Sequence, residues 1–502
     1  MLFNSYTFIV FFVVLLLVHQ LPIAWKVKKV NLLLASYLFY AVWNPPFIIL
    51  LWLSTLIDYF VGKRLYDEER KSRRKLLLLI SLIGNLGMLG YFKYGTFLLN
   101  NFVLLMSSLG IDYQPAAPDI ILPIGISFYT FQTLSYTIDM YRRTAPPEKS
   151  LLDFSLFVTF FPQLVAGPIV RPSELLPQFK VPRQATKQQF TSGLFLLTLG
   201  LFMKVVLADS MLAGTADLVF GDPRPLATLD AWLGVLAFSG QIFFDFGGYS
   251  TCAIGIASCF GFTLPDNFRF PYAAIGFSDF WRRWHITLST WLRDYLYIPL
   301  GGNRYGKVRT YFALMTTMLL GGLWHGASWT FVVWGALHGI YLCVERLLWR
   351  RKPKSIMVTP GDLAIPNNEN IPKITTSKAS LAPAFLSGKQ VQLFMAALFT
   401  YFLVNVAWVF FRAQDFSTAG RLLGSMFGVI DNGAPILSTL AIIQVTVIIG
   451  LTVLTHWFMR NTGVLFVAQK LSWVLTGIIW AVMLILLVLS QESSSSFIYF
   501  QF

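Results

Sequence analysis

Residues 310–344 read TYFALMTTMLLGGLWHGASWTFVVWGALHGIYLCV and contain no Asp, Glu, Lys or Arg. At about 1.5 Å per helical residue, this run is too long to cross a hydrocarbon core of about 30 Å once and too short to cross it twice with a turn. Gly321, Gly322 and Gly326 predict a break beside His325, which would then end a short helix of about fifteen residues. A polar side chain at that depth needs a partner or a water-lined cavity, so His325 is a candidate functional residue.

The composition of the whole chain predicts a helical membrane protein. Of its 502 residues, 56% are hydrophobic and 13% are charged, whereas soluble domains carry about 25% charged residues. Apolar runs recur along almost the whole length, without the alternating pattern that is typical of an outer-membrane barrel. We therefore expect an all-α, polytopic membrane protein that lies in the lipid bilayer.

The excess of basic residues indicates membrane headgroups as the partner and argues against nucleic acid. Lys and Arg number 39 against 24 acids, which gives a net charge of +15. These charges lie between the apolar runs, where basic residues mark cytoplasmic loops, and they do not form one stripe. No charged residue precedes Lys26, so we expect a retained first span with its N-terminus outside, and no cleaved signal peptide.

The three cysteines give no sign of a covalent or metal-binding framework. Cys252, Cys259 and Cys343 all lie in apolar surroundings, and neither a CxxC nor an HExxH spacing occurs in the chain. The pattern predicts three packing residues, with no disulfide and no metal site.

The apolar runs divide the chain into three parts. We expect a membrane core over residues 1–349, a mobile cytoplasmic loop over 350–390 that is rich in Pro, Asn, Ser and Thr, and C-terminal spans with an external tail over 391–502. The basic segment 63–75 predicts a second cytoplasmic loop. The predicted spans include 7–25, 31–43, 46–62, 76–93, 96–109, 391–411, 437–458 and 471–490.

Polar residues interrupt the apolar runs in the middle of the chain. Four prolines in 160–179 exclude an uninterrupted span there, and Lys204, Asp209 and Asp245 each lie within an apolar run. Broken or charged segments are tolerated at membrane depth where protein or water covers them. One buried acid could be a structural cap, but several together predict an internal aqueous chamber.

Residues 278–297, SDFWRRWHITLSTWLRDYLY, show a helical period, with tryptophans on one side and arginines on the other. We expect an amphipathic helix in the membrane interface, with Ser278 as its N-cap and its tryptophans at headgroup level. His285 falls at the border of the apolar side, where a lone histidine is either a packing residue or part of a site. The glycine-rich, basic turn at 299–309 is either a phosphate site or a plain cytoplasmic turn.

Six motifs together resemble one family. They are PIGISFYTFQTLSYTIDMYR, FFPQLVAGPIVRP, KVVLAD, FDFGGYS, FWRRWHITLSTWLRDYLYIPLGGNR and GGLWHGASWTFVVWGALHG, and they span most of residues 120–340. The chain resembles the membrane-bound O-acyltransferases, in particular the alginate O-acetyltransferase type. This resemblance implies a ring or funnel of about 10–12 transmembrane helices, with short broken or re-entrant helices and interfacial helices.

The resemblance also implies an enzyme and its site. It places the essential histidine at His325, at the narrow point of the funnel, and the second characteristic histidine at His285. We expect an acyltransferase in the bacterial inner membrane that uses a cytoplasmic thioester, acetyl-CoA or another, and has no tightly bound cofactor. Its acyl group would cross the membrane for O-acetylation of an exported, alginate-like polysaccharide, with a periplasmic or extracellular acetyltransferase as partner.

Two alternatives to this function stay open from the sequence. The same fold could acetylate peptidoglycan or transfer D-alanine to teichoic acid. A protein of another class, a lipid or acyl transporter without chemistry, would also use buried acids, broken spans and a central histidine.

The C-terminal sequence QESSSSFIYFQF suggests a further site residue. Tyr499 follows a polar run on a segment that we expect outside the membrane. A phenol near a base can carry an acyl group covalently, so Tyr499 is a candidate acyl carrier. The alternative is an aromatic anchor at the outer interface.

Overall fold

The computed structural model of the chain describes residues 1–116, 118–348, 388–430 and 433–490. Regular structure in these residues is helical, apart from an isolated bridge between Leu226 and Ala434. The prediction of an all-α protein is therefore confirmed. The predicted loop over 350–390 falls almost entirely outside the described residues.

Twenty α-helices follow one another in the described part of the chain. They are α1 Tyr6–Gln20, α2 Trp25–Ala41, α3 Ile48–Asp67, α4 Lys71–Ser108, α5 Ile126–Arg142, α6 Leu151–Thr159, α7 Phe161–Leu164, α8 Pro172–Phe179, α9 Lys187–Leu201, α10 Gly214–Gly221, α11 Thr228–Cys259, α12 Phe277–Trp281, α13 Ile286–Leu292, α14 Gly306–His325, α15 Trp329–Leu348, α16 Gly388–Arg412, α17 Phe416–Met426, α18 Thr439–Met459, α19 Val464–Lys470 and α20 Trp473–Leu489. Two π-helical segments, Phe202–Ala213 and Arg293–Tyr297, continue α9 and α13.

Seven helical segments in the described residues are long and apolar enough to cross a membrane. The helices α1 and α20 are apolar but shorter, with 15 and 17 residues. The prediction of a polytopic membrane protein is confirmed, although seven is fewer than the 10–12 spans that we expected. The difference arises partly because α1 and α20, which the sequence predicts as spans, are shorter than the seven.

The clearest difference in the N-terminal half concerns α4. The sequence predicts two short spans, 76–93 and 96–109, because Lys93 interrupts the apolar run. The structure has one helix of 38 residues, Lys71–Ser108. Such a helix is about 57 Å long, well above the hydrocarbon thickness, so α4 reaches beyond the membrane core or tilts strongly.

A buried polar network fixes α4 against its neighbours. Asp58 of α3 is fully buried, and its carboxylate accepts hydrogen bonds from Ser81, Asn85 and Thr137. Ser81 and Asn85 belong to α4, and Thr137 belongs to α5. Hydrogen-bonded donors offset the cost of burying this polar group, so one side chain holds three helices in register.

Helix α11 lies at the centre of the bundle. Its most apolar stretch is 83% buried inside the protein, and it packs against α9, α10, α16, α17 and α18. Asp245 of α11 and Asp209 both form ion pairs with Lys204, each at 2.8 Å. This buried ion-paired cluster joins α11 to the π-helical segment, and the predicted aqueous chamber stays a prediction.

The buried apolar residues form two clusters. The first contains side chains of α1–α8, part of α11, and the end of α14 at Trp324. The second contains the rest of α11 and residues of α12, α15, α16, α17 and α18, among them Trp334 and Phe411. His325 follows Trp324 directly and contacts Trp334, so it lies where the two clusters meet.

Candidate functional site

His325 is the last residue of α14. Gly326 continues in extended backbone conformation and ends the helix there. A Cβ atom at Gly326 would lie 2.0 Å from the Phe331 ring, so only glycine fits this position. The predicted break beside His325 is confirmed, but α14 has 20 residues instead of about fifteen, because it begins at Gly306, before the charge-free run.

The helices α14 and α15 form an antiparallel hairpin with very close packing. A Cβ atom at Gly322 would lie 2.3 Å from the Phe331 carbonyl oxygen, and one at Gly335 would lie 2.4 Å from that of Met318. Small residues at a helix interface let two backbones approach closely in a membrane. These two glycines therefore set the position of α14, and of His325 at its end, against α15.

Two side chains of α4 satisfy the carbonyl groups at the end of α14. Tyr94 donates its hydroxyl hydrogen to the Leu323 carbonyl at 2.8 Å. The Lys93 ammonium donates to the carbonyls of Trp324 and His325, at 2.7 and 3.0 Å. The last carbonyls of a helix have no intrahelical partner, and a cation there is favourable. The only signal for this contact in the sequence was a lysine within an apolar run.

His285 is fully buried and lies between α12 and α13. Its φ of 42° is in the left-handed region, which a residue other than glycine seldom adopts and which often marks functional sites. The predicted continuous amphipathic helix over 278–297 is therefore wrong. Trp284 is fully buried as well, so this segment packs inside the protein and its tryptophans do not all lie at headgroup level.

The start of α12 also differs from the prediction. Ser278 is the second residue of α12 and not its N-cap. The N–H groups of Phe277 and Ser278 donate to one carboxylate oxygen of Glu345, at 2.6 and 2.9 Å. Glu345 belongs to α15, so the helix that follows His325 also holds the helix that precedes His285.

The structure brings the two predicted histidines together. The ring centroids of His285 and His325 are 6.3 Å apart, although the residues are forty positions apart in the sequence. The prediction that they share one site is consistent with this distance. Their roles in chemistry stay predictions.

Aromatic rings surround the His325 imidazole. The ring centroids of Trp324, Trp334 and Phe411 lie 4.9, 5.0 and 5.3 Å from it. Only 2% of His325 is exposed to solvent. The imidazole is therefore enclosed by aromatic side chains.

Asn267 is a site residue that the sequence did not reveal. It is 1% exposed, and its side-chain oxygen lies 3.1 Å from Nδ1 of His285. The same oxygen accepts a hydrogen bond from the Thr287 hydroxyl at 2.8 Å, and the amide nitrogen donates to Ser250 at 3.1 Å. No motif spacing marks an asparagine in a segment without regular structure as a partner of a histidine beyond the next helix.

The remaining predicted positions stay predictions. Tyr499 lies outside the described residues. In the turn at 299–309, Arg309 donates to the Leu300 carbonyl at 2.6 Å and the Thr310 hydroxyl donates to Gly302 at 3.0 Å. These contacts fold the turn on itself and do not test whether it binds phosphate.

Comparison with known proteins identifies the family. The model of the MBOAT, membrane-bound O-acyltransferase, family matches residues 7–370. The chain is 40% identical to the probable alginate O-acetylase AlgI of Pseudomonas putida over 430 residues, 85% of this chain and 80% of that protein. It is 39% identical to the peptidoglycan O-acetyltransferase of Helicobacter pylori over 426 residues, 80% of this chain and 74% of that protein.

A more distant relative has a different named activity. The teichoic acid D-alanyltransferase of Streptococcus thermophilus is 30% identical over 276 residues, 52% of this chain and 66% of that protein. All three relatives are named as enzymes that transfer acyl groups, and the family model covers most of the chain, including both histidines. The protein is an acyltransferase, and the chain belongs to the membrane-bound O-acyltransferase family.

Proposed function

We propose that this protein transfers an acetyl or other acyl group from a cytoplasmic thioester, acetyl-CoA being the first candidate, to a hydroxyl acceptor on the outer side of the bacterial inner membrane. The acyl group then serves the O-acetylation of an exported, alginate-like polysaccharide. The observation that carries the proposal is a pair of buried imidazoles whose ring centroids lie 6.3 Å apart. One of them, His325, ends a helix in a protein with seven candidate membrane spans among its described residues. The relative of Pseudomonas putida, a probable alginate O-acetylase, supports the choice of polysaccharide.

The chemistry needs a base for the acceptor hydroxyl. We assign that role to His325, because a buried neutral imidazole can take a proton and release it again. The acceptor oxygen forms a bond to the acyl carbon, and the C–S bond breaks with its electron pair going to sulfur. The hydroxyl proton passes through His325 to the thiolate. His285 assists this step, either by orienting or polarising the thioester carbonyl or by orienting the acceptor hydroxyl.

The reaction also needs hydrogen-bond donors for the developing oxyanion. The indole N–H groups of Trp324 and Trp334 are suited to this task. Both indoles pack against the His325 ring, and neither N–H has a hydrogen-bond partner among the described residues. Buried donors without partners are rare in native proteins, so a substrate oxygen is a reasonable occupant for at least one of them.

The test of His325 uses the purified protein in lipid nanodiscs with radiolabelled acetyl-CoA. The label is followed into an alginate oligosaccharide and into the protein itself. We expect His325→Ala to lose roughly 10²–10⁴-fold in transfer rate, the usual contribution of a general base. The matched control is His19→Ala, since His19 is also buried but lies in α1 against the Arg183 carbonyl. A folded His325→Ala protein that keeps the rate of the control would refute the proposal.

Tyr499 is tested separately as an acyl carrier to an extracellular acetyltransferase. We expect Tyr499→Phe to abolish polysaccharide acetylation in cells, because phenylalanine has no oxygen for an acyl ester. The measurement is mass spectrometry of the C-terminal peptide together with the acetyl content of the polysaccharide. An aromatic anchor would tolerate this substitution, so unchanged acetylation would assign Tyr499 to the membrane interface.

One comparison makes peptidoglycan a second candidate acceptor. The peptidoglycan O-acetyltransferase of Helicobacter pylori matches this chain almost as well as the alginate O-acetylase does. Mass analysis of surface glycans from cells with and without this protein separates the two acceptors, and it also detects D-alanyl transfer. A transporter without chemistry would show no acyl transfer that depends on His325.

A further inference from the structure

Asn267 contacts three successive residues at the break between α12 and α13. Its backbone carbonyl accepts a hydrogen bond from the Ile286 N–H at 2.9 Å. Its side-chain oxygen accepts one from the Thr287 N–H at 3.3 Å and one from the Thr287 hydroxyl at 2.8 Å. The same oxygen lies 3.1 Å from Nδ1 of His285. Asn267 therefore holds the strained backbone at His285 as well as its ring.

These contacts determine which end of the Asn267 amide faces His285. The Thr287 backbone N–H can only donate a hydrogen bond, so the atom that it meets must be the amide oxygen. The Thr287 hydroxyl agrees with this orientation. It accepts a hydrogen bond from the Ile169 N–H at 3.0 Å, and its own hydrogen is then available for the Asn267 oxygen. The amide nitrogen points the other way, toward Ser250.

The orientation of the amide determines the tautomer of His285. An amide oxygen carries no hydrogen, so Nδ1 of His285 must be the donor in their contact. A neutral imidazole has hydrogen on only one ring nitrogen, and Nε2 of His285 is then a hydrogen-bond acceptor. Nε2 is buried and has no hydrogen-bond partner among the described residues. The acceptor that this tautomer creates is thus available to a group that enters the site.

We propose that Asn267 is a positioning residue, which holds neutral His285 in the tautomer that accepts a hydrogen bond from the incoming hydroxyl. This inference rests on the proposed function and gives His285 a defined part in it. A neutral His285 with hydrogen on Nδ1 cannot donate from Nε2 to the thioester carbonyl. It acts on the hydroxyl, and oxyanion stabilisation is left to other donors.

The distance between the rings is short enough for one hydroxyl to reach both. With the two ring centroids 6.3 Å apart, a hydroxyl bound between the imidazoles can donate to either of them. Its hydrogen can turn about the C–O bond from one imidazole to the other. The proton then leaves for His325 as the bond to the acyl carbon forms. His285 therefore contributes to acceptor binding, and His325 contributes to the chemical step.

The network explains why three motifs converge on this place. Ile169 belongs to FFPQLVAGPIVRP, Ser250 to FDFGGYS, and Thr287 to FWRRWHITLSTWLRDYLYIPLGGNR. All three contact Asn267 or the Thr287 hydroxyl that binds it. Together these contacts hold the Asn267 amide group against the His285 imidazole.

Nitrogen NMR of the ring nitrogens tests the tautomer directly. The protein is labelled with ¹⁵N-histidine and studied in nanodiscs without substrate. The chain has only five histidines, and the signals that disappear in His285→Gln belong to His285. We expect a protonated Nδ1 and an unprotonated Nε2 at His285 in the unsubstituted protein. A protonated Nε2 there would overturn the inference, whatever the variants do.

Two variants of Asn267 then test whether this residue fixes the tautomer of His285. Asn267→Leu removes the acceptor, and we expect the fixed tautomer to be lost. Asn267→Asp keeps an oxygen opposite Nδ1, and we expect hydrogen to stay on Nδ1. The matched control is Asn405→Leu, since Asn405 is also 1% exposed but lies in α16 and donates to the Tyr401 carbonyl. Unchanged His285 signals in folded Asn267→Leu would contradict the inference.

Kinetics distinguish a positioning role from a purely structural one. With acetyl-CoA and an alginate oligosaccharide, we expect Asn267→Leu to raise the acceptor KM about tenfold with kcat nearly unchanged, the effect of one lost hydrogen bond in binding. Asn267→Asp should restore most of the affinity. A fall in kcat with an unchanged acceptor KM would refute the binding role. If His325→Ala stays active, the proposed function fails, while the NMR result on His285 stands by itself.

Discussion

At the scale of single residues, Lys93 shows how a charge can be placed in a membrane helix at acceptable cost. Its ammonium donates to the carbonyls of Trp324 and His325 and lies 5.9 Å from the centroid of the Trp324 ring. Carbonyl groups at the end of α14 carry the partial negative charge of the helix dipole. The lysine and the helix end thus satisfy each other, and the orientation of His325 depends on both.

Replacing Lys93 by methionine tests this dependence. Methionine keeps most of the length and the apolar stem but leaves two buried carbonyls without their donor, at a cost of about 1–3 kcal/mol for each unsatisfied group. We expect a lower thermal stability and at least a tenfold lower transfer rate. The control is Lys63→Met, an exposed lysine in α3. Equal stability and equal rate in the two variants would show that Lys93 does not support the site.

At the scale of secondary-structure elements, the sequence predicts the surroundings of His325 better than those of His285. The end of α14 could be predicted because glycines and one histidine stand out within a charge-free run. The surroundings of His285 could not be predicted, because the positive φ occurs at a histidine and not at a glycine. Its partner Asn267 lies 18 residues away. A helical period of the tryptophans continues across the break, so periodicity alone indicates one helix where the structure has two.

The bounds of the predicted transmembrane spans show the same limit of prediction from sequence. Predicted bounds agree with the observed helices where polar loops flank an apolar run, as at α16 and α18. They disagree at α4, where Lys93 suggested a break. The lysine is satisfied by carbonyls of α14, more than two hundred residues away in sequence, so tertiary contacts allow the helix to continue.

The close packing of α14 against α15 gives a prediction at this scale. Gly335→Val would place new atoms against the Met318 carbonyl, which a Cβ alone would approach to 2.4 Å. We expect a loss of stability of about 1–3 kcal/mol, typical of overpacking, and a displaced His325 with little activity. Thermal unfolding and transfer rate are the measurements. Gly450→Val in α18 is the control, because no atom lies within 4 Å of a Cβ there; similar losses in both variants would contradict the role of the hairpin.

At the scale of the whole molecule, the site lies between the two buried apolar clusters. Trp324 belongs to the first cluster, and Trp334 and Phe411 belong to the second. Phe411 is in α16, beyond residue 370, where the match to the family model ends. The C-terminal helices, which the sequence predicts as a separate group, therefore contribute a wall of the site to the N-terminal core.

Phe411→Ala tests this contribution. The ring contacts His325, Phe331, Trp334 and Trp408, and its removal leaves a cavity at a cost of about 3–5 kcal/mol. We expect a strongly reduced transfer rate, because the His325 ring loses one of its supports. Phe399→Ala is the matched control, since Phe399 lies on the same helix and is 62% exposed. The prediction is wrong if both variants lose the same activity.

The enclosure of His325 by aromatic rings has a consequence for the hydrolysis of the proposed thioester donor. A thioester held beside an open imidazole would be hydrolysed, because water is an abundant nucleophile that needs no binding pocket. Excluding bulk water from a reactive centre suppresses such side reactions. In the proposed transfer, the rings around His325 would keep water away from the bound thioester between turnovers, so that activated acyl groups are consumed only when a true acceptor arrives.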